Sequence, residues 1–210
     1  MMDKKCKICR RAGEKLFLKG ERCFTPRCAM NNRPYAPGKL DSEKKRRSPI
    51  SEYGIQMKEK QKIKNIYGVS EKQFVAYVKN AENSTVNTKI APALGAYINL
   101  ETRLDNIVFR MGLAKSRALS RQMVAHGHII VNGKKINIPS HRVRVGDVIS
   151  VREGSKNTKL FNEASAKLKD FSSPDWLALD AAKLEAKVSS LPKEIEGGFD
   201  FAKVLEFYSR

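Results

Sequence analysis

The sequence predicts an α+β fold: an N-terminal segment ordered by its cysteines, a helical region, two short helices followed by an antiparallel sheet, and a C-terminal extension packing back on these. Three observations predict it. All four cysteines lie in the first 28 residues, apolar residues recur at helical spacing from Tyr53 to Met123, and the period changes to two at His128. The boundaries fall at 1–48, 49–100, 101–165 and 166–210.

The first fifty residues are rich in Gly, Pro, Asn and basic side chains and lack aliphatic periodicity, so an ordinary core does not order them. The cysteines can. Cys6-x2-Cys9 and Cys23-x4-Cys28 are separated by thirteen residues. Each short spacing lets two sulfurs face one ion at about 2.3 Å, as a tetrahedral thiolate site requires. Nearby Lys5, Lys7, Arg10, Arg11, Arg22 and Arg27 favour the thiolate and offset the charge of a Zn(Cys)4 centre. The expectation is one structural zinc ion on Cys6, Cys9, Cys23 and Cys28, with an iron-sulfur cluster as the alternative. Disulfides are disfavoured because the start of the chain has no secretory apolar core. Four protein ligands leave no open position for catalysis.

Strong helix formers run from Gln56 to Lys62, with Ile63, Ile66 and Tyr67 at helical spacing and Gly68 as the stop. Ser70 reads as an N-cap for a helix whose stripe is Phe74, Tyr77, Val78 and Ala81. Glu82 to Thr88 is a predicted loop, and Pro92 opens a third helix reaching Leu100. Leu104, Ile107, Val108 and Met111 form the next stripe, ended by Gly112. Ser116 starts a short helix with Leu119 and Met123 inward, closed by Gly127.

His128–Val131, then Asn132-Gly133, then Lys134–Ile138 reads as strand, turn, strand, because both residues of the two-residue turn must accept positive φ. Val143, Val145, Ile149 and Val151 extend the alternation. Asp175–Asp180 and Ala186–Leu191 suggest further strands, whereas Phe199–Tyr208 fits either a helix or a strand.

Lys and Arg number 41 against 22 Asp and Glu, a formal charge of +19. Such self-repulsion is costly unless a polyanion absorbs it. Residues 1–50 hold fifteen basic and five acidic side chains, 101–150 nine and three, and 151–210 ten and ten, which directs the polyanion to the N-terminal and central regions. Arg117 and Arg121 stand i, i+4 opposite Leu119 and Met123, Arg103 and Arg110 stand seven apart, and only Glu101, Asp105 and Asp147 lie among them. The expectation is a helix pair whose exposed side tracks phosphates, positioned by the hairpin. His126 and His128 flank a glycine and are candidate nucleotide contacts. No apolar run approaches the ~20 residues of a membrane span.

Arg103-Leu-Asp-Asn-Ile-Val-Phe-Arg110, Gly127-His-Ile-Ile-Val-Asn-Gly133, Ile138-Pro-Ser140 and Gly146–Glu153 resemble the RNA-binding domain of the small-subunit ribosomal protein four family. Cys9 to Cys23, Arg33-Pro-Tyr-x-Pro-Gly38, Glu52 to Lys62, Tyr67-Gly-Val and Gln73-Phe are similar to the N-terminal part of its zinc-binding bacterial form. The resemblance implies a primary binder of small-subunit ribosomal RNA that nucleates assembly of the subunit body. It also implies an influence on decoding accuracy, with small-subunit proteins five and three as neighbours, and residence in the cytoplasmic ribosome, or in an organelle matrix if a presequence is missing. Neither a membrane nor a small-molecule substrate is expected. Candidate RNA contacts are Arg10, Arg11, Arg22, Arg33, Tyr53, Lys60, Lys62, Arg103, Arg110, Lys115, Arg117, Arg121, Gln122, His126, His128, Asn132, Lys134 and Lys135. Lys39-Leu40 departs from the His-Gly frequent after this Pro-Tyr-x-Pro-Gly pattern, and the last fifty residues match loosely.

Two other functions compete. Arg103-Leu104-Asp105 resembles the short catalytic-aspartate motif of pseudouridine synthases, but here it lies inside the RNA-binding unit and only about sixty residues follow Glu153, fewer than a typical catalytic domain. A free RNA chaperone would not require the basic cysteine segment. The expectation is therefore a non-enzymatic protein.

Overall fold

A computed structural model describes residues 4–38, 49–84, 90–156, 158, 160, 161, 168 and 171–209. The predicted loop at Glu82–Thr88 lies partly outside them, and the helix before it reaches Ser84. The cysteine segment contributes α1 (Lys4–Ala12), a 3-10 turn (Gly20–Cys23) and α2 (Ala29–Asn32).

α3 (Glu52–Tyr67) begins where the Ser51 hydroxyl accepts from the Gly54 N–H at 3.2 Å and ends at Gly68, whose φ of 64° is the left-handed geometry that glycine allows without strain. α4 (Glu71–Ser84) is capped by Ser70, whose hydroxyl accepts from the Gln73 N–H at 3.3 Å. Pro92 sits in the first turn of α5 (Pro92–Glu101), where its missing N–H costs nothing. Ile63, Tyr67, Phe74, Val78, Ala96, Tyr97 and Leu100 form one apolar cluster with Phe201 and Val204. The last two belong to the C-terminal α9 (Phe201–Tyr208), so the ambiguous segment is a helix.

A second cluster joins α6 (Leu104–Arg110) and α7 (Arg117–Ala125) to the sheet through Leu104, Ile107, Met123, Ile129 and Ile149, each at most 2% exposed. Fully burying such a side chain contributes about 1.5–3 kcal/mol. The sheet is antiparallel, in the order β2-β1-β3-β5-β4, with β1 Ile129–Val131, β2 Lys134–Lys135, β3 Val148–Val151, β4 Leu177–Asp180 and β5 Glu185–Val188. Asn132 and Gly133 have φ of 49° and 78°, the mirror-image turn that matches the strand twist. β2 is only two residues long because the chain then leaves the hairpin to meet α6. The carbonyls of Pro139 and His141 accept from Asp105 and Leu104, and the Val143 N–H donates to Thr102. α8 (Glu153–Lys156) follows β3. The sheet does not stop at residue 165: β5 pairs with β3, with Ile149 opposite Ala186. Among the described residues no helix is long and apolar enough to cross a membrane.

Candidate nucleic-acid interface and cysteine cavity

α1 places Cys6 and Cys9 three apart on one face, Cys23 closes the 3-10 turn, and Cys28 immediately precedes α2. All four line one cavity of about 20 Å³. None forms a disulfide, and Cys9, Cys23 and Cys28 are buried. Burial pushes the Cys9 thiol up, and negative charge on Cys23, Cys6 and Cys28 pushes it further, against a backbone hydrogen bond at Leu16 that lowers it. Among the described residues no three Cys, His, Asp or Glu side chains already have metal-holding geometry. The donor chemistry and the small shared cavity nevertheless fit a structural ion, since a bound cation reverses the mutual repulsion of four thiolates.

The central arginines depart from the expected phosphate-tracking face. Arg103 is 1% exposed: its Nε donates to Asp105 Oδ1 at 2.9 Å, its Nη2 to Oδ2 at 2.5 Å and its Nη1 to the Tyr77 hydroxyl at 2.7 Å. Arg110 grips fully buried Glu101 with Nε at 2.8 Å and Nη2 at 3.0 Å, and its Nη1 lies 3.2 Å from Glu196. Arg117 donates to Asn106 Oδ1 at 2.8 Å, with its guanidinium 4.8 Å from the Tyr67 ring centroid and 4.4 Å from that of Phe109. Glu101 also accepts from Tyr67 at 2.6 Å and from Asn106 at 2.9 Å. Burial would raise its carboxyl, yet Arg110, Arg117 and Tyr67 hold it below the usual range. Burial of Arg117 itself depresses its pKa.

Glu101 and Asp105 thus absorb charge that looked uncompensated: Arg110 and Arg117 tie α5, α6 and α7 together, and Arg103 joins the start of α6 to Tyr77 of α4. Asp105 is accordingly the ion-pair partner of Arg103. Arg121 remains about half exposed, donating to the Gly68 carbonyl at 3.3 Å, with Asp105 at 3.9 Å.

Three more candidates are drawn inward by partners within the protein. Lys60 is buried on α3, bonded to Glu71 at 2.7 Å and 4.3 Å from the Phe207 ring centroid. Lys62 pairs with Glu14 at 3.3 Å and Glu59 at 3.6 Å. Arg10 is buried, donating to the Tyr35 carbonyl at 2.8 Å and lying over its ring. These three candidate RNA contacts therefore have protein partners in this fold, as Arg103, Arg110 and Arg117 do.

Arg11, Arg22, Arg33, Tyr53, Arg121, Gln122, His126, Lys134 and Lys135 are exposed. Lys115 is exposed and pairs with Glu21 at 2.7 Å. His128 is half-buried, its Nδ1 2.9 Å from the Ser155 hydroxyl, and burial, then His126, lowers its pKa. Asn132 is held in the turn by Asp147 at 2.8 Å and by the Val148 N–H at 2.9 Å. Sequence spacing missed one feature: a groove of about 620 Å³ between α1 and α3, where Lys7, Arg11 and Lys58 rim the apolar Ile8, Ala12 and Met57. Its walls lie some fifty residues apart in the chain, so no local pattern joins them.

These features define a binding module for a polyanion: exposed cations on a rigid helix-and-sheet scaffold whose buried charges are spent internally. Residues 1–92 match the ribosomal protein S4/S9 N-terminal domain and residues 102–149 match the S4 domain. The small ribosomal subunit protein uS4 of Halothermothrix orenii is 46% identical over 98% of this chain and 96% of its own length. Those of Heliobacterium modesticaldum and Thermosipho melanesiensis are 47% and 45% identical, each over 98% of this chain and 96% of their own. The chain belongs to the family of small ribosomal subunit protein uS4.

Proposed function

We propose that this chain is a structural, non-catalytic constituent of the small ribosomal subunit that binds small-subunit ribosomal RNA directly. What carries the reading is near full-length similarity to proteins named as small-subunit components, together with a formal charge of +19 whose exposed cations include Arg11 on α1, Arg121 on α7 and Lys134 and Lys135 on the β1-β2 hairpin. Each exposed Lys or Arg that neutralises a phosphate releases condensed counterions, which supplies affinity without sequence reading. The buried Glu101 and Asp105 networks hold the helices at fixed angles, so the exposed cations present a set shape to folded RNA. Arg103-Leu104-Asp105 is an internal ion pair in this arrangement, which disfavours an RNA-modifying enzyme.

The finer reading is that the protein nucleates assembly of the subunit body, contributes to translational accuracy beside small-subunit proteins five and three, and works in the cytoplasmic ribosome. Its cysteine segment is ordered by zinc on Cys6, Cys9, Cys23 and Cys28. When bound, that ion supplies a tetrahedral tether that keeps the thiolates deprotonated and fixes α1 against the 3-10 turn. The direct test is binding of the purified chain to small-subunit and large-subunit ribosomal RNA transcripts at matched salt. Tighter binding to the small-subunit transcript supports the reading, and equal affinity for both contradicts it.

A further inference from the structure

The cysteine segment exposes two aromatic rings with no role in the core. Phe17 is 45% and Phe24 76% exposed, and their rings stack with centroids 4.9 Å apart and planes inclined by 27°. Phe17 holds a φ of 50°, a left-handed conformation that is strained for a bulky residue. Such strain persists where the surroundings over-determine it, often at functional sites. Here Leu16 on one side and Gly20 and Cys23 on the other are buried and fix the hook between the two rings.

Phe24 walls a cleft of about 480 Å³ together with Phe109, Phe171, Lys115, Ser172 and Ser173. Phe171 is itself 41% exposed. Arg22 and Arg27, two and three residues from Phe24 in the chain, help line a second cavity of about 290 Å³ with Lys7, Arg10 and Arg33, and among the described residues no carboxylate lines it. The cleft also holds Arg110 and Glu196, which neutralise each other at 3.2 Å.

We propose that the Phe24 cleft takes one unpaired nucleobase of the bound RNA, stacked on the Phe24 ring, while the adjoining phosphates run into the cavity lined by Arg22, Arg27 and Arg33. The inference rests on the RNA-binding reading above and deepens it. A nucleobase has the flat apolar face that Phe24 and Phe171 match, and polar edges that Ser172 can meet, Ser173 being able only to accept because its hydroxyl donates to the Leu177 carbonyl. The cavity is within the size range of a small-molecule site. An apolar protein segment is the weaker occupant, because the core of a protein interface is depleted of charge, whereas Lys115, Arg110 and Glu196 line this cleft.

The test compares full-length wild type, Phe24→Ala and Phe24→Tyr for binding to a small-subunit ribosomal RNA transcript across a salt series. Loss of one base stack weakens Phe24→Ala by about 5- to 150-fold. Phe24→Tyr keeps the π face and stays within about threefold of wild type. The salt slope of Phe24→Ala is unchanged, since stacking displaces no counterions. Because Phe24 is largely exposed, the alanine variant folds, which far-UV circular dichroism checks. Wild-type binding with unaltered Phe24→Ala affinity, or a Phe24→Tyr loss equal to that of Phe24→Ala, overturns the stacking site alone. Failure of the wild type to bind ribosomal RNA removes the underlying reading as well. A photocrosslinking residue at position 24 must mark RNA in assembled subunits, and crosslinks solely to protein overturn the proposal.

Discussion

Glu101→Gln isolates the buried charge network from its shape. Glu101 is wholly buried and meets both forks of Arg110, the Tyr67 hydroxyl and the Asn106 amide, with Arg117 at 4.0 Å. Glutamine preserves the volume but leaves two inward-facing guanidinium groups without their counter-charge. Breaking a buried pair by removing one partner costs about 3–5 kcal/mol. The lower end applies, because the Arg110 side chain is 20% exposed and retains Glu196 at 3.2 Å. For a chain of this size about 3 kcal/mol lowers Tm by roughly 6–12 °C. Scanning calorimetry of the full chain measures it. Adding Arg110→Met to Glu101→Gln should recover at least half of the loss, since replacing both partners by uncharged groups is often neutral. A Tm change below about 2 °C in the single variant, or a double variant no better than the single, would refute the view that this network holds α5, α6 and α7 together.

Chelation, or Cys9→Ser, should release amide protection in residues 4–38 while leaving the sheet and α6–α7 protected; native protein lacking both zinc and iron, with all four thiols freely alkylated, would contradict this. Lys134→Gln with Lys135→Gln should weaken RNA binding generally and make the salt slope shallower by roughly 0.7–0.9 per lost phosphate contact, whereas Arg103→Gln should lower stability instead. An unchanged slope in the hairpin variant places the RNA elsewhere. The Glu71 carboxyl is lowered to about 2 despite the opposing effect of burial, by hydrogen bonds from Lys60, Lys64 and Tyr208. Its folded pKa lies below the usual 4.5, so its contribution is complete above about pH 4.5 and is lost as pH falls towards 2. Near-ultraviolet signals from Tyr208 should therefore change over that window, and Glu71→Gln should remove the change.

Elements governed by local chemistry were legible. Ser70 and Ser116 cap the helices they were expected to cap, Gly68 stops α3, and Asn132-Gly133 makes the tight turn. Contacts that span the chain were not. The strands near 177 and 186 could be recognised by alternation, but nothing local says that β5 lies against β3. Phe199–Tyr208 is ambiguous in sequence because its partners, Tyr97 and Tyr67 among them, are more than a hundred residues away. The same limit governs the interface. With few acids nearby, the central arginines read as free positive charge, but one buried carboxylate meets two cations at once, as Glu101 does, and another of its partners is Tyr67, 34 residues upstream. Helical spacing put Arg117 and Arg121 together without revealing that the first turns onto Tyr67 and Phe109.

The central claim is tested most directly by quantifying this chain across a sucrose gradient of ribosomal particles from growing cells. The account predicts about one copy per small subunit, persisting in a high-salt wash and absent from free large subunits. Recovery of most of the chain in the particle-free fraction, at far less than one copy per small subunit, would contradict it.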